Sequence, residues 1–452
     1  MSIAAVALSV SLLIVVASLF TGFIKAFEKS ATEAVGDIII TAPGSRHISK
    51  YPLLIEQLEQ TGAVEAATAM LSAEGLLHIG RGTGNVRAVS IWGIQPERRA
   101  KVTGFKQSLL RQKDLSGDPS FAVPGNEDKT GGFIGIGVIA EPNEQTDEYD
   151  FSVADQIIGS EVFVTTGTIS ESSVGQGDAK RPKLKRKMIR FTVADVVFTG
   201  VYEIDSGFVF LPIEDLQSKL YPDETAPLAD EIHIKLREGV EPDVALGVIR
   251  GVWDVFAAKQ LYEIKYATTI DTARQKQSRY VKELRKQMGV LLVIFGVVSF
   301  SVIVLVFCIF YMIVTTKQKD IAIIKSCGTG NCSVAMIFIG FGMCVGMIGS
   351  GIGATLGYII TRNINTIENW IRILFGLKLW KSSVYMFSKI PNETDWYAIL
   401  FAIPIKLNGW HFVLRLKTYD LIWLSILAAV IGALIPAIVA ARTKPVNILR
   451  YE

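Results

Sequence analysis

Charge is missing from four long stretches of this 452-residue chain: Ile3–Ile24, Met288–Val314, Val334–Ile360 and Leu421–Ala441 hold no Asp, Glu, Lys or Arg. Each run is 21 to 27 residues long, and about 20 apolar residues in a helix cross a hydrocarbon core. That excludes a freely soluble enzyme. Intrinsic disorder is excluded as well, because half of the residues are hydrophobic and the mean hydropathy is +0.37. Cysteine is scarce: all four lie between Cys308 and Cys344, so no disulfide framework holds Lys25–Gln287 together. Cys327 and Cys332 sit close, but no His or acidic cluster completes a metal site around them. The four histidines (His47, His78, His233, His411) are scattered and form no H-E-x-x-H pair. There is no G-x-S-x-G nucleophile elbow and no G-x-x-x-x-G-K-[ST] loop, so ATP is not cradled by this chain through a P-loop. Ion-coupled transporters and proton relays place ionisable groups inside the membrane; the uncharged spans argue against both. A net charge of +3, from 46 basic and 43 acidic residues, implies no nucleic-acid partner.

What is present is a segmented membrane protein. The first span (1–24) is read as an uncleaved anchor, because no basic residue precedes it and Ala17–Phe20 makes a poor cleavage site. A domain-sized insert (25–287) follows, then spans at 288–314, 334–361 and 421–441, a loop at 315–333, a second insert at 362–420 and a tail at 442–452. Within the large insert, apolar runs at Asp37–Thr41, Val86–Ile91, Phe133–Ile139, Glu161–Thr166, Ile189–Val201, Phe208–Pro212 and Ile232–Leu236 predict strands. Helical spacing predicts helices at Pro52–Thr61, Ile213–Leu220 and Asp243–Ala258. No breaker separates the basic stretch Gln275–Lys286 from the second span, so one helix is expected to continue into the membrane. The expected fold is membrane α-helical, with four transmembrane helices and a large α+β extracytoplasmic domain in two lobes, the Gly-rich middle forming the second lobe. Ile364–Phe375 is amphipathic, with Ile367, Trp370, Ile371 and Leu374 on one face, as suits an interfacial helix. Trp396–Ile405 is apolar but too short to span. Lys317, Lys319, Lys325, Arg442, Lys444 and Arg450 crowd the short loop and tail, which places both in the cytoplasm and both inserts outside it.

Three features carry candidate chemistry. The loop Lys317–Gly328, KQKDIAIIKSCG, reads as a short amphipathic helix ended by Gly328: either a plain connector or a knob that docks into a cytosolic partner. In the third span, Gly342/Gly346, Gly349/Gly353 and Gly353/Gly357 are small-xxx-small pairs that let another helix approach, not a dinucleotide fingerprint. Lys180–Arg190 has seven basic residues in eleven and reads as a solvated hairpin tip.

The order of one span, a large insert, three further spans, the KQKDIAIIKSCG loop and a Gly-rich span resembles the FtsX/MacB-type ABC transporter permeases. The tail Ala440–Glu452, AARTKPVNILRYE, is similar to that family's closing motif, and Tyr202–Leu216, YEIDSGFVFLPIEDL, resembles the lipoprotein-releasing LolC/LolE branch. The segment 362–420 is longer than the family pattern. The resemblance implies an inner-membrane permease with a periplasmic domain, no catalytic residues, and no cofactor of its own. A separate cytoplasmic ATPase would bind ATP and magnesium, and a second permease copy would complete a homodimer or heterodimer. It implies mechanotransmission: Lys317, Lys319, Asp320, Ile321, Ile324, Lys325 and Gly328 couple to the ATPase. The tail motif puts Arg442, Pro445, Leu449, Arg450, Tyr451 and Glu452 in the cytoplasm. In the lipoprotein branch, acyl chains come in from membrane lipid between the first and second spans. Phe20, Phe23, Phe27, Val290 and Leu291 are expected there, with hand-over to a periplasmic lipoprotein chaperone. The alternatives are an FtsX-like regulator of cell-wall hydrolases and an exporter of peptides, drugs or other lipids.

Overall fold

The chain opens with helix α1 (Ser2–Val35), which runs past the expected end of the first span. No breaker intervenes until Gly36, whose φ of 81° suits glycine and whose N–H caps the helix on the Thr32 carbonyl. The computed structural model describes residues 2–44, 46–79, 86–123, 129–143, 146–171, 182–392, 399–407 and 410–442. They fall into two compact units, one of Ala26–Arg279 with Ile371–Lys389, the other of Met1–Lys25, Tyr280–Trp370 and Ile390–Glu452.

The first unit is built on one nine-stranded sheet. Its strands are β1 (Ile38–Thr41), β2 (Val64–His78), β3 (Val86–Ile94), β4 (Gly131–Gly135), β5 (Glu161–Glu171), β6 (Pro182–Val197), β7 (Phe208–Pro212), β8 (Glu231–Leu236) and β9 (Thr269–Thr272). They lie in the order β9-β1-β8-β2-β3-β7-β4-β6-β5, and β5 pairs again with β2 through Gly75–His78, so six strands close into a ring. Strand β2 serves both parts: Val64–Met70 pairs with β8 and Met70–His78 with β3. The Gly-rich middle, expected from the sequence to form a separate second lobe, instead supplies β4 to the interior of this one sheet. The strand expected at Phe133–Ile139 is instead β4 followed by a helical turn, Ile136–Ile139. Helices α2 (Tyr51–Glu59), α3 (Pro96–Val102), α4 (Ile213–Leu220) and α5 (Pro242–Gln260) belong to the same unit, with shorter helices at Phe151–Ile157, Tyr202–Gly207 and Ser382–Tyr385. Proline stands in the first turn of α2, α3 and α5, where its missing N–H costs nothing. Leu54, Ile55 and Leu58 of α2 are buried beside Ile38, Ile40, Leu71 and Ile234. Each such side chain contributes about 1.5–3 kcal/mol on leaving water. The basic stretch Lys180–Arg190 falls partly outside the described residues; its described part lies on β6, where Lys185, Arg186 and Arg190 are exposed.

The second unit holds the long helices. Among the described residues, four are long and apolar enough to cross a membrane: α1, α6 (Ala273–Thr316), α8 (Asn331–Arg362) and α10 (Thr418–Arg442). Helix α6 is continuous over 44 residues and starts at the residue after β9. Short helices α7 (Gln318–Ser326) and α9 (Ile364–Phe375) lie between α6, α8 and α10 in the chain. Helix α9 leaves Trp370, Ile373, Leu374 and Phe375 exposed. The apolar stretch around Trp396–Ile405 contributes a strand, β10 (Ile399–Leu407), which forms a hairpin with β11 (Trp410–Lys417); Trp396 itself lies outside the described residues.

Candidate functional site

Helix α7 occupies the loop read from the sequence as either a plain connector or a docking knob. Its two halves of apolar residues part company. Ile321 and Ala322 are buried, and Ile321 packs with Val314, Val334 and Ala440 of the neighbouring long helices. Ile323 and Ile324 are exposed. Of the residues expected to couple to an ATPase, Ile321 is thus turned into the helical unit and Ile324 is exposed. Lys325 Nζ donates to the Ala441 carbonyl at 2.7 Å, tying α7 to the end of α10, and Lys317 pairs with Asp320 at 3.0 Å. Lys319 projects from the same helix. Gly328 ends it at φ 97°, a conformation that a side chain would strain.

The glycines of α8 face two different helices. A Cβ on Gly342 would stand 2.6 Å from the Ala433 Cβ, and one on Gly346 3.1 Å from the Ala429 Cβ, both on α10. One on Gly349, Gly353 or Gly357 would meet Val6, Ala7 or Ile14 of α1 at 2.8, 2.5 and 3.1 Å. Helix α8 is thus the spine against which α10 and α1 lie at backbone distance. Helices α1 and α6 meet at the level of Val6–Leu13 and Ser299–Val306, around a crevice of 40 Å³ that also reaches Leu424–Ala429 of α10. Phe20, Phe23 and Phe27 follow along one side of α1 and are half-buried. On α6, Val290 is exposed and Leu291 half-buried, and Val293, Ile294, Val297 and Phe300 are exposed too. Further along the same helix Val306, Phe310 and Val314 are fully buried. Of the tail residues, Arg442 ends α10; Pro445, Leu449, Arg450, Tyr451 and Glu452 lie outside the described residues.

The family model described as the MacB-like periplasmic core domain matches residues 1–251. The chain belongs to this family. Over its whole length it is 26% identical to the lipoprotein-releasing system transmembrane protein LolC of Neisseria meningitidis, covering 93% of that protein. The LolC of Xylella fastidiosa is 24% identical over 100% of the chain and 93% of its own length. The LolE of Haemophilus influenzae is 24% identical over 98% of the chain and 92% of its own.

In the MacB-like domain two arrangements escaped the sequence reading. The first is a pair of buried carboxylates. Asp205, inside the YEIDSG stretch, accepts from the Thr199 N–H (2.6 Å), the Thr199 hydroxyl (2.8 Å) and the Gly200 N–H (2.9 Å). Burial nevertheless pushes its carboxyl up to about 6. Asp147 accepts from the Ser382 N–H at 2.6 Å, and Lys378 Nζ donates to the Thr146 carbonyl at 2.7 Å. With the Tyr202 N–H bonded to the Met386 carbonyl, these contacts dock residues 371–389 on the domain. Residues 371–389 of the second insert thereby join the domain. The second arrangement surrounds Arg99 of α3. Its Nη2 donates to the Ala34 carbonyl at 3.0 Å, while Nε and Nη1 have no partner. Burial pulls the guanidinium down to about 10, against the pull of Glu231. Burial would raise the Glu231 carboxyl, but His233 at 2.9 Å and the Lys276 ammonium at 2.6 Å hold it well below the usual carboxylate range. The only hint in sequence was Pro96-Glu-Arg-Arg99, a helix start with two adjacent arginines that must point to different sides.

Proposed function

We propose that this chain is the permease subunit of an ATP-driven ABC transporter that releases lipoproteins from the inner membrane towards the outer membrane. The near full-length match to proteins named as lipoprotein-releasing supports that reading. A separate cytoplasmic ATPase binds ATP and magnesium, and two permease copies pair in the membrane. Helix α7 docks on the ATPase through Ile323 and Ile324, held in place from behind by Ile321 and Lys325. When the ATPase closes, α7 moves with the ends of α6 and α8. Because α6 has no break between Thr316 and Ala273, motion at its cytoplasmic end is carried along the helix towards β9. That is mechanotransmission, and it needs neither a pore nor an ionisable group in the spans. The lipoprotein is then passed to a periplasmic chaperone.

The observation that carries the lipid step is the uneven burial of α6. One side of its inner half is packed through Val306, Phe310 and Val314, with Val304, Leu305, Tyr311 and Met312 exposed on the other, whereas Val290, Val293, Ile294, Val297 and Phe300 leave its outer half bare. A bare apolar flank in a membrane protein faces acyl chains or another apolar helix. Acyl chains leaving the outer leaflet would lie against this flank and the Phe20–Phe23–Phe27 side of α1. Photocrosslinkers at Phe23 and Val290, in the full complex, test this with a triacylated lipoprotein. Adducts that vanish when the acyl chains are removed are expected. Phospholipid adducts alone, with no lipoprotein captured, would overturn the release function and favour regulation of cell-wall hydrolases or another export.

A further inference from the structure

Residues 364–390 form a loop with a pinned neck. The Asn365 side chain exchanges two hydrogen bonds with the backbone of Ile390, donating to its carbonyl at 3.2 Å and accepting from its N–H at 2.9 Å. Asn392 Nδ2 donates to the Thr361 carbonyl at 2.6 Å, one residue before α8 ends. Both arms of the neck therefore stand where the third span ends. From there α9 runs for 12 residues, about 18 Å at 1.5 Å per residue, and Gly376 turns the chain at φ 65°.

Beyond the neck the polarity of the loop is reversed. Ile373, Leu374, Phe375, Leu377, Leu379 and Val384 are each 60–70% exposed. Residues between them turn the other way. The Lys378 side chain is 11% exposed and is held by Asp147 and the Thr146 carbonyl. Trp380 donates its Nε1–H to the Phe387 carbonyl, and Ser382 is 5% exposed. A segment facing water would turn the lysine out and the leucines in. An apolar patch of this kind marks a surface that meets a partner or a membrane.

We propose that residues 373–384 lie in the outer-leaflet interface of the membrane, so that the MacB-like domain touches lipid directly through this loop. The neck selects the occupant: both of its arms sit at the end of a span, and α9 is too short to carry the patch far from it. Lys381, exposed between Leu379 and Val384, suits a lipid headgroup while its apolar neighbours sink among the upper acyl carbons. This goes beyond an interfacial α9, because the patch continues past the helix onto a segment bonded to the domain. The contacts of Asp147 with the Ser382 N–H and of Lys378 with the Thr146 carbonyl make the loop a membrane foot of the domain, in addition to its links through α1 and α6. The proposal rests on the periplasmic placement of the domain and not on lipoprotein release.

The test is power saturation of nitroxide labels on the full-length chain in phospholipid nanodiscs, in a background of Cys308→Ser, Cys327→Ser, Cys332→Ser and Cys344→Ser. Oxygen concentrates in lipid and a nickel chelate in water. The ratio of oxygen to nickel collisions should be several-fold higher for labels at Phe375→Cys and Leu379→Cys than at Val244→Cys, an exposed site on α5. A ratio equal to that at Val244→Cys would put the patch in water, and few collisions with either reagent would put it under protein, a second copy or a chaperone; each result overturns the proposal. If the cysteine-free chain does not fold, a benzophenone photocrosslinker at Phe375 of the parent decides. Phospholipid adducts that are absent with the same group at Val244 are expected, and adducts to protein alone, or none, would overturn it.

Discussion

A single methyl group placed at Gly353 tests how tightly α8 holds the first span. An alanine Cβ there would lie 2.5 Å from the Ala7 carbonyl oxygen, 2.8 Å from the Val10 Cβ and 3.0 Å from the Ala7 Cα. Carbon atoms rest at about 3.5–4.0 Å, so α1 has to move away by roughly 1 Å. Two of the three contacts are backbone, which has no rotamer through which to yield. Overpacking of this kind costs about 1–3 kcal/mol. Ala is a better helix former than Gly by about 1 kcal/mol, which offsets part of it. Gly351, two residues earlier on the same helix, has nothing within 4 Å, so Gly351→Ala keeps the propensity gain without the clash. The two variants should therefore differ by about 1–3 kcal/mol, Gly353→Ala being the weaker. Thermal unfolding of the full-length chain in detergent, followed by tryptophan fluorescence, measures the difference in the transition of the helical unit. If Gly353→Ala melts at or above Gly351→Ala, α1 and α8 are not at backbone distance.

On α7 the two isoleucines should separate cleanly. Ile321→Ala should lower the stability of the permease by about 2–4 kcal/mol through a cavity under α7, whereas Ile324→Asp should leave melting unchanged and reduce ATPase co-purification. Full ATPase recovery with Ile324→Asp would reduce α7 to a connector. Asp205 should make the MacB-like domain more stable in acid. Its folded pKa of about 6 lies above an unfolded value of about 3.9, so the folded state holds the proton more tightly. The contribution is complete below about pH 4 and is lost as pH rises to 6. Urea titrations from pH 4 to 7 should show that decline in the parent and not in Asp205→Asn; identical profiles would count against a buried, raised carboxyl.

The long apolar runs made the spans legible, since no other element accounts for more than 20 uncharged residues. The helix continuing from Gln275 and the adjacent strand and helix at Phe208–Leu220 were legible for a similar reason: period and breakers agreed. Strand β2 was not. Its sequence, VEAATAMLSAEGLLH, is rich in Ala, Glu, Met and Leu, all strong helix formers. It is a strand because it has partners on both edges, β8 and β5 against one and β3 against the other, and burial of Ala67, Ala69 and Leu71 outweighs local preference. The same limit applied to the candidate residues. Composition marked α7 as amphipathic, but which isoleucine turns inward depends on Val334 and Ala440, far away in sequence. Arg99 was unreadable because a buried arginine and an exposed one look alike until the packing of α3 is known.

The position of β1 bears on the order in which the protein is made. Its four residues pair on one edge with β8 and on the other with β9, so the first strand to emerge waits for the last two. Some 230 residues separate Ile38 from its partner Thr272, and contacts that remote in sequence form slowly. The residue after Thr272 already begins α6. The sheet thus becomes closable only as the second span reaches the insertion machinery. Until then the exported stretch carries unpaired strand edges, a state prone to aggregation. Shortening α6 at its start, or delaying its insertion, should therefore harm folding of the sheet before it harms the spans.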